Sequence, residues 1–347
     1  MDLKERISAL NNVGVFLKNN CDKYAQNKDS ILDKEIENSI KKAVIENQYF
    51  EKDNIMYALR NWGNILNTKN LNLFTNKYPI NQKNHNVGII MAGNIPLVGF
   101  HDFICTFLCG KKAIIKKKKK DKSLLEFIFK FLNSLNEDFH NYIEICGERL
   151  KNFDAVIATG NDFSANQFRK YFNKFPNIIR QSRHSVAIID GNESKDDLKG
   201  LSSDIFRHYG LGCRSISKIY LPKGYNLDVL FNSFYEWKNV INNSAYYNNY
   251  LYYKTIYLMK GDKFYDNGFS ILKESEKIGS PIGTIFFEYY NDKTEINNLL
   301  KIKEDKIQCI VSNEIVKNSI VFGSSQTPSI EDFADKEDTM NFLLKLS

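Results

Sequence analysis

The stretch NVGIIMAGNIPLVGFHDFICTFLCGKKAIIK (Asn86–Lys116) decides the fold. Asn86–Ala92 is an apolar run of strand length, Leu97–Cys109 an apolar run of helix length, and Lys112–Lys116 a second strand. Val87–Gly110 is long enough to suggest a membrane span. Against that reading, Asn94, Pro96, His101 and Asp102 stand near its centre, where polar groups are costly in lipid. The motif GNIP also breaks the run, so the segment reads as strand, turn, helix and strand.

Outward from this unit the alternation continues. Helix Lys122–Leu135, strand Tyr142–Cys146, strand Phe153–Gly160 and helix Asp162–Phe172 follow in order. Strands this apolar, separated by helices, imply a parallel sheet covered on both faces. A second α/β block starts at Ser185–Asp190. It runs through helix Lys195–Tyr209, strand Ile216–Pro222, helix Leu227–Val240, and strands Gly283–Tyr290 and Ile307–Val311. Upstream, Leu32, Ile36, Ile40 and Val44 recur at helical spacing, and Asp53 is the expected cap of a helix over Asp53–Asn67. The expectation is an α/β protein of two domains, residues 1–183 and 184–347.

Composition narrows the function. The chain has 347 residues, 43% hydrophobic and 26% charged, with a formal charge of +7. That excess permits an anionic ligand such as a phosphorylated cofactor or coenzyme A without demanding nucleic acid. Cys21, Cys105, Cys109, Cys146, Cys213 and Cys309 follow no framework spacing, and the amino terminus lacks the apolar core of a signal peptide. Free thiols in a cytoplasmic protein without a membrane span are the expectation.

Cys213 follows Gly210-Leu-Gly212 and precedes a strand. Glycines allow a tight turn from which a thiol projects, and Arg207, His208 and Arg214 are close enough in sequence to favour the thiolate. A cysteine is equally at home as a small buried residue, and the glycine setting alone leaves the two readings balanced. Asn94 suits either an oxyanion donor or a turn residue before proline. Lys116–Lys120 ends a parallel strand, the edge where open α/β sheets bind ligands. Those lysines suit a cofactor phosphate or a solvated loop; RNA is disfavoured because no aromatic or glycine residues are interleaved. Thr159-Gly160-Asn161 joins a strand to a helix, where backbone N–H groups can face a pyrophosphate. Tyr246, Tyr250, Tyr253 and Tyr257 share one helical face, more simply a packed face than a wall for an acyl chain. His101, Cys105 and Cys109 read as core residues, and no metal is expected.

In order, these pieces resemble the aldehyde dehydrogenase superfamily, and within it the LuxC-like acyl-CoA reductases. The strings that carry the resemblance are NQYFEKDNIMYALRNWGNIL, MAGNIPLVGFHDF, VIATGND, RHSVAIIDGNES, HYGLGCRSISKIYLP and VFGSSQTPSIEDFADKEDTMNFLL, together with the lysine strand and the tyrosine helix. The resemblance implies a Rossmann-type cofactor domain followed by a catalytic domain. It assigns Cys213 as nucleophile, Asn94 as oxyanion donor, and Lys116, Thr159, Gly160 and Asn161 as cofactor contacts. Where many relatives carry a ribose-binding glutamate this chain has Lys119, which points to NADPH, with NADH the alternative. The hydrolytic glutamate is missing from IIRQSRHSVAIID, which favours thioester reduction over aldehyde oxidation. The implied activity is reduction of a fatty acyl thioester, with a short-chain acylating aldehyde dehydrogenase as the rival. An acyl-transferring partner enzyme and a homo-oligomer are both compatible with it.

Overall fold

The computed structural model describes residues 1–28, 30–80, 84–116, 121–147 and 149–346. In chain order the elements are α1 (Leu3–Gln26), α2 (Lys34–Glu46), α3 (Lys52–Ile65), α4 (Thr68–Thr75), β1 (Asn86–Ile90), α5 (Phe100–Leu108), β2 (Lys112–Lys116), α6 (Ser123–Leu135), β3 (Ile143–Cys146), β4 (Ala155–Thr159), α7 (Asp162–Phe172) and β5 (Asn177–Arg180). There follow β6 (His184–Ile188), α8 (Lys195–Phe206), β7 (Ile216–Pro222), α9 (Leu227–Phe234), α10 (Ser244–Lys260), β8 (Tyr265–Asp266), β9 (Ile271–Glu274), β10 (Thr284–Tyr290), α11 (Lys293–Ile302), β11 (Ile307–Val311) and α12 (Thr339–Leu344). The chain forms two compact units, Met1–Gln181 with Ser329–Ser347, and Ser182–Pro328. The sequence boundary at residues 183 and 184 assigned the closing segment to the second domain; its contacts lie with the first unit.

In the first unit a parallel sheet has the order β3-β2-β1-β4-β5. Successive side chains of a strand point to opposite faces. Val87, Ile89, Ala113, Ile115, Ala155 and Ile157 therefore enter one core with α1, α3, α5 and α6. Ile90, Val156 and Ala158 enter another with Phe172, packed by Phe153 and Phe168. Burial on both faces explains why these strands read as unbroken apolar runs. The closing segment contributes Ile330, Met340 and Leu343 to the larger core. It is anchored by a buried ion pair: Arg180 Nη1 lies 2.6 Å from Asp102 Oδ2, and Arg180 Nη2 donates to Thr339 Oγ1 at 2.9 Å.

The second unit holds a sheet of order β11-β6-β7-β10-β9-β8, parallel except for the β8–β9 pair. Its core includes Val186, Ile188, Tyr220, Tyr290 and Ile296. Lys218 is completely buried and is paired with Glu288 at 2.5 Å.

Two local expectations differ. Asp53 lies inside α3, and its carboxylate accepts from Tyr24 and pairs with Lys28 at 2.6 Å instead of capping the helix. The helix drawn to Tyr209 stops at Phe206, because His208 and Tyr209 take φ values of 52° and 58°. The tyrosine helix behaves as a packed face: Tyr246, Tyr250 and Tyr257 are buried, with hydroxyls of the first two on Phe269 O and Asp266. No helix among the described residues is long and apolar enough to cross a membrane.

Candidate active site

The strand order of the first unit reverses between β1 and β4, and in open parallel sheets ligands bind beyond the carboxyl ends of strands at such a switch point. Register places the expected residues there. Ile90 of β1 pairs with Lys116 of β2 and with Ala158 of β4, so Lys116, the Met91–Asn94 turn and Thr159 leave the sheet at one level.

The turn after β1 is held from two directions. Gly93 adopts φ 69°, and its carbonyl accepts from Asn47 Nδ2 at 3.2 Å. Leu97 takes φ 58°, unfavourable for a side chain with a Cβ, and its N–H donates to Asp121 Oδ2 at 3.0 Å. Burial pushes the Asp121 carboxyl up to about 8, against the opposing pull of that N–H, with Glu46 adding to the rise. Asn94 is half-buried on this turn. Asp121 escaped the sequence reading because nothing in its spacing marks a carboxylate that caps a distant backbone group.

At the β4–α7 junction, Gly160 N–H donates to Arg180 O at 3.2 Å, and Asn161 Oδ1 caps α7 by accepting from Ser164 N–H at 2.9 Å. Both N–H groups are thus engaged by the fold, and Asp162 adds a negative charge to the first turn of α7. Lys116 is half-buried at the end of β2, and Thr159 ends β4 immediately before the Gly160–Asn161 turn into α7. Lys119 lies outside the described residues.

In the second unit Cys213 is exposed at the amino end of β7. His208, Tyr209 and Gly210 take left-handed φ values of 52°, 58° and 73° in succession, turning the chain sharply off α8. Only the glycine does so without steric cost. Leu211 N–H then donates to His208 O at 3.1 Å and Ser215 N–H to Gly212 O at 3.0 Å, closing the turn around Cys213. Ser185 Oγ donates to Cys213 O at 2.9 Å and accepts from Cys309 N–H at 3.2 Å. The Cys309 thiol lies 3.0 Å from the same Oγ.

Burial pushes Cys309 up to about 11, partly offset by Ser185 and Arg214. Cys105 and Cys109 are buried thiols; Cys109 Sγ lies 3.7 Å from Met340 Sδ, while His101 Nε2 lies 2.7 Å from Ile330 O. The cations expected around Cys213 are distributed differently from the sequence reading. Arg207 stacks over the Trp237 ring at 4.7 Å. Burial first, and Arg207 second, pull His208 down to about 3, so at neutral pH it contributes no charge.

Solved structures share this architecture. An aldehyde dehydrogenase from Physcomitrella patens, solved with its reaction product succinate, matches with a TM-score of 0.68 at 12% identity, over 100% of this chain and 84% of its own. The chain has the aldehyde dehydrogenase fold. An oxidoreductase from Marinobacter aquaeolei matches at 0.64 and 11% identity, over 91% of this chain and 75% of its own. The NAD+ complex of an aldehyde dehydrogenase from Bacillus cereus matches at 0.62 and 12%, over 90% and 72%. No protein-family model and no curated protein matches the sequence.

Proposed function

We propose that this protein is a nicotinamide-dependent oxidoreductase acting on aldehyde and acyl groups, and more specifically a reductase of fatty acyl thioesters. The observation that carries the reading is the exposed thiol of Cys213, presented on a left-handed turn before β7 in a chain of aldehyde dehydrogenase fold. A thiolate attacks a thioester carbonyl readily, and the acyl-cysteine it forms is again a thioester.

In the proposed reaction Cys213 Sγ bonds to the acyl carbon, the bond from that carbon to the coenzyme A sulfur breaks, and coenzyme A leaves with a proton. The resemblance to the LuxC-like reductases assigns the hydrogen bond to the developing oxyanion to Asn94. When bound, a nicotinamide dinucleotide would supply the hydride for the acyl carbon. The oxyanion then re-forms a carbonyl, expels the Cys213 thiolate and releases the aldehyde. Lys116 and the Thr159–Asn161 turn would hold the cofactor, and an ammonium at Lys119 would favour the 2′-phosphate of NADPH. The segment Gln181–Arg183 between β5 and β6 has no glutamate to activate water, which supports reduction over hydrolysis. Preference for a fatty chain rests on the quoted strings that resemble the LuxC-like reductases, which also make an acyl-transferring partner enzyme compatible with the reading.

The test is NADPH oxidation by purified protein across acyl-CoAs of increasing chain length, beside the Cys213→Ser variant. The reading expects turnover with long chains and its loss in the variant. A variant oxidising NADPH with fatty acyl-CoA at the wild-type rate sinks the mechanism, and a preference for acetyl-CoA favours a short-chain acylating enzyme.

A further inference from the structure

Helix α8 presents Gly200 and Asp204 one turn apart on the same face. The segment Phe322–Gln326 lies directly on that face. A Cβ on Gly200 would fall 2.8 Å from Gly323 N and from the carbonyl carbon of Phe322, and Gly323 itself takes φ 83°. One turn along, the fully buried Asp204 carboxylate accepts from Gly323 N–H at 2.7 Å, Ser325 N–H at 3.0 Å and Ser325 Oγ at 2.8 Å. Three donors on one buried carboxylate fix the loop in place.

The next side chain links this clamp to the cysteine turn. Gln326 Nε2 donates to Ser215 Oγ at 3.2 Å and reaches Asp204 O at 3.5 Å, all three residues being buried. Ser215 is the residue whose N–H closes the turn onto Gly212 O. The turn thus has Ser185 on the carbonyl of Cys213 and Gln326 on the residue that ends it. Cys213 itself carries the first attachment and stands two residues before the second, downstream of the strained His208–Gly210 backbone.

We propose that Gln326, clamped through the Asp204 loop, is a positioning residue that sets the Cys213 turn for attack on the acyl carbon. This rests on the reading of Cys213 as the acyl-accepting nucleophile. Gln326 acts on the turn through Ser215, so its loss should slow the chemical step more than it weakens substrate binding.

The experiment uses the full chain with Gln326→Met, which keeps side-chain length and removes the donor, with Ser215→Ala, which removes the acceptor, and with both. Intact-mass kinetics without nicotinamide follow acylation of Cys213 over a range of dodecanoyl-CoA concentrations, and melting temperature is recorded alongside. Each variant is expected to lower the maximal acylation rate by about ten- to a hundredfold, the scale of a small misplacement of a reacting group. Half-saturation should stay within about twofold, and the double variant should be no slower than the slower single, because both remove one interaction. Wild-type maximal rates, losses confined to half-saturation, losses that track a fall in melting temperature, or losses that multiply in the double variant each overturn the inference. If Gln326→Met does not fold, Ser215→Ala decides by the same criteria. A wild type that neither dodecanoyl- nor acetyl-CoA acylates at Cys213 overturns the functional reading and this inference with it; an acylated wild type with equally fast variants overturns the inference alone.

Discussion

Replacing Asp102 by alanine should destabilise the first unit by far more than an ordinary surface change. The carboxylate lies 2.6 Å from Arg180 Nη1, and the two side chains are 5% and 3% exposed. Burial pulls Arg180 down, and the Asp102 carboxylate outweighs it, so the guanidinium stays charged. Unit charges about 4 Å apart at an effective dielectric near 20 attract by about 4 kcal/mol. Removing one partner strands the other charge in the core, a loss of about 3–5 kcal/mol. Because Arg180 also donates to Thr339, at the start of α12, the closing segment should loosen with it. Urea unfolding of wild type, Asp102→Ala, Arg180→Met and the Asp102→Leu/Arg180→Met pair measures the effect. The paired apolar replacement should recover more than half of the single-variant loss, since a buried ion pair and a packed apolar pair are often equivalent. A single-variant cost below about 1 kcal/mol, the range of an exposed pair, would refute the desolvation argument. So would a double variant whose cost equals the sum of the singles.

Two further outcomes follow from the ionisable groups. Iodoacetamide at pH ~8, near the ordinary thiol range, should label Cys213 first. Burial pushes Cys21 and Cys109 up to about 12, Cys309 to about 11 and Cys105 well above its ordinary value, whereas Cys213 is exposed. Peptide mapping that finds Cys309 or Cys105 labelled ahead of Cys213 contradicts this ordering. Asp121 gives a pH prediction: its carboxyl ionises near 3.8 when unfolded and at about 8 when folded. Between those values the folded state binds the extra proton, so stability falls as pH rises, by about 1.4 kcal/mol per unit at most. Asp121→Asn should flatten that slope in denaturation curves taken from pH ~5 to ~8, the working span between the two ionisations, and an unchanged slope would remove Asp121 as its source.

Several strands of the two sheets were legible as apolar runs because both of their faces are packed. Lys112–Lys116, Ile216–Pro222 and Ile307–Val311 have the bounds that their apolar runs suggest. Asn177–Arg180, Tyr265–Asp266 and Ile271–Glu274 were not, because strands of two to four residues are too short to leave a periodic signal. The end of α8 was also hidden: the sequence RHYG carries nothing that forbids a helix, yet His208 and Tyr209 are left-handed and buried. The same distinction separates the candidate site from its supports. Cys213, Asn94 and Lys116 stand at strand ends, positions fixed by alternation along the chain. Asp121, Asp204 and Gln326 reach groups 24, 119 and 111 residues away, to Leu97, Gly323 and Ser215 respectively. One chain's alternation carries no record of such pairings. A residue that holds a reacting turn from that distance is therefore recovered only from geometry, and Gln326 is the one whose removal tests whether the hold matters to the chemistry.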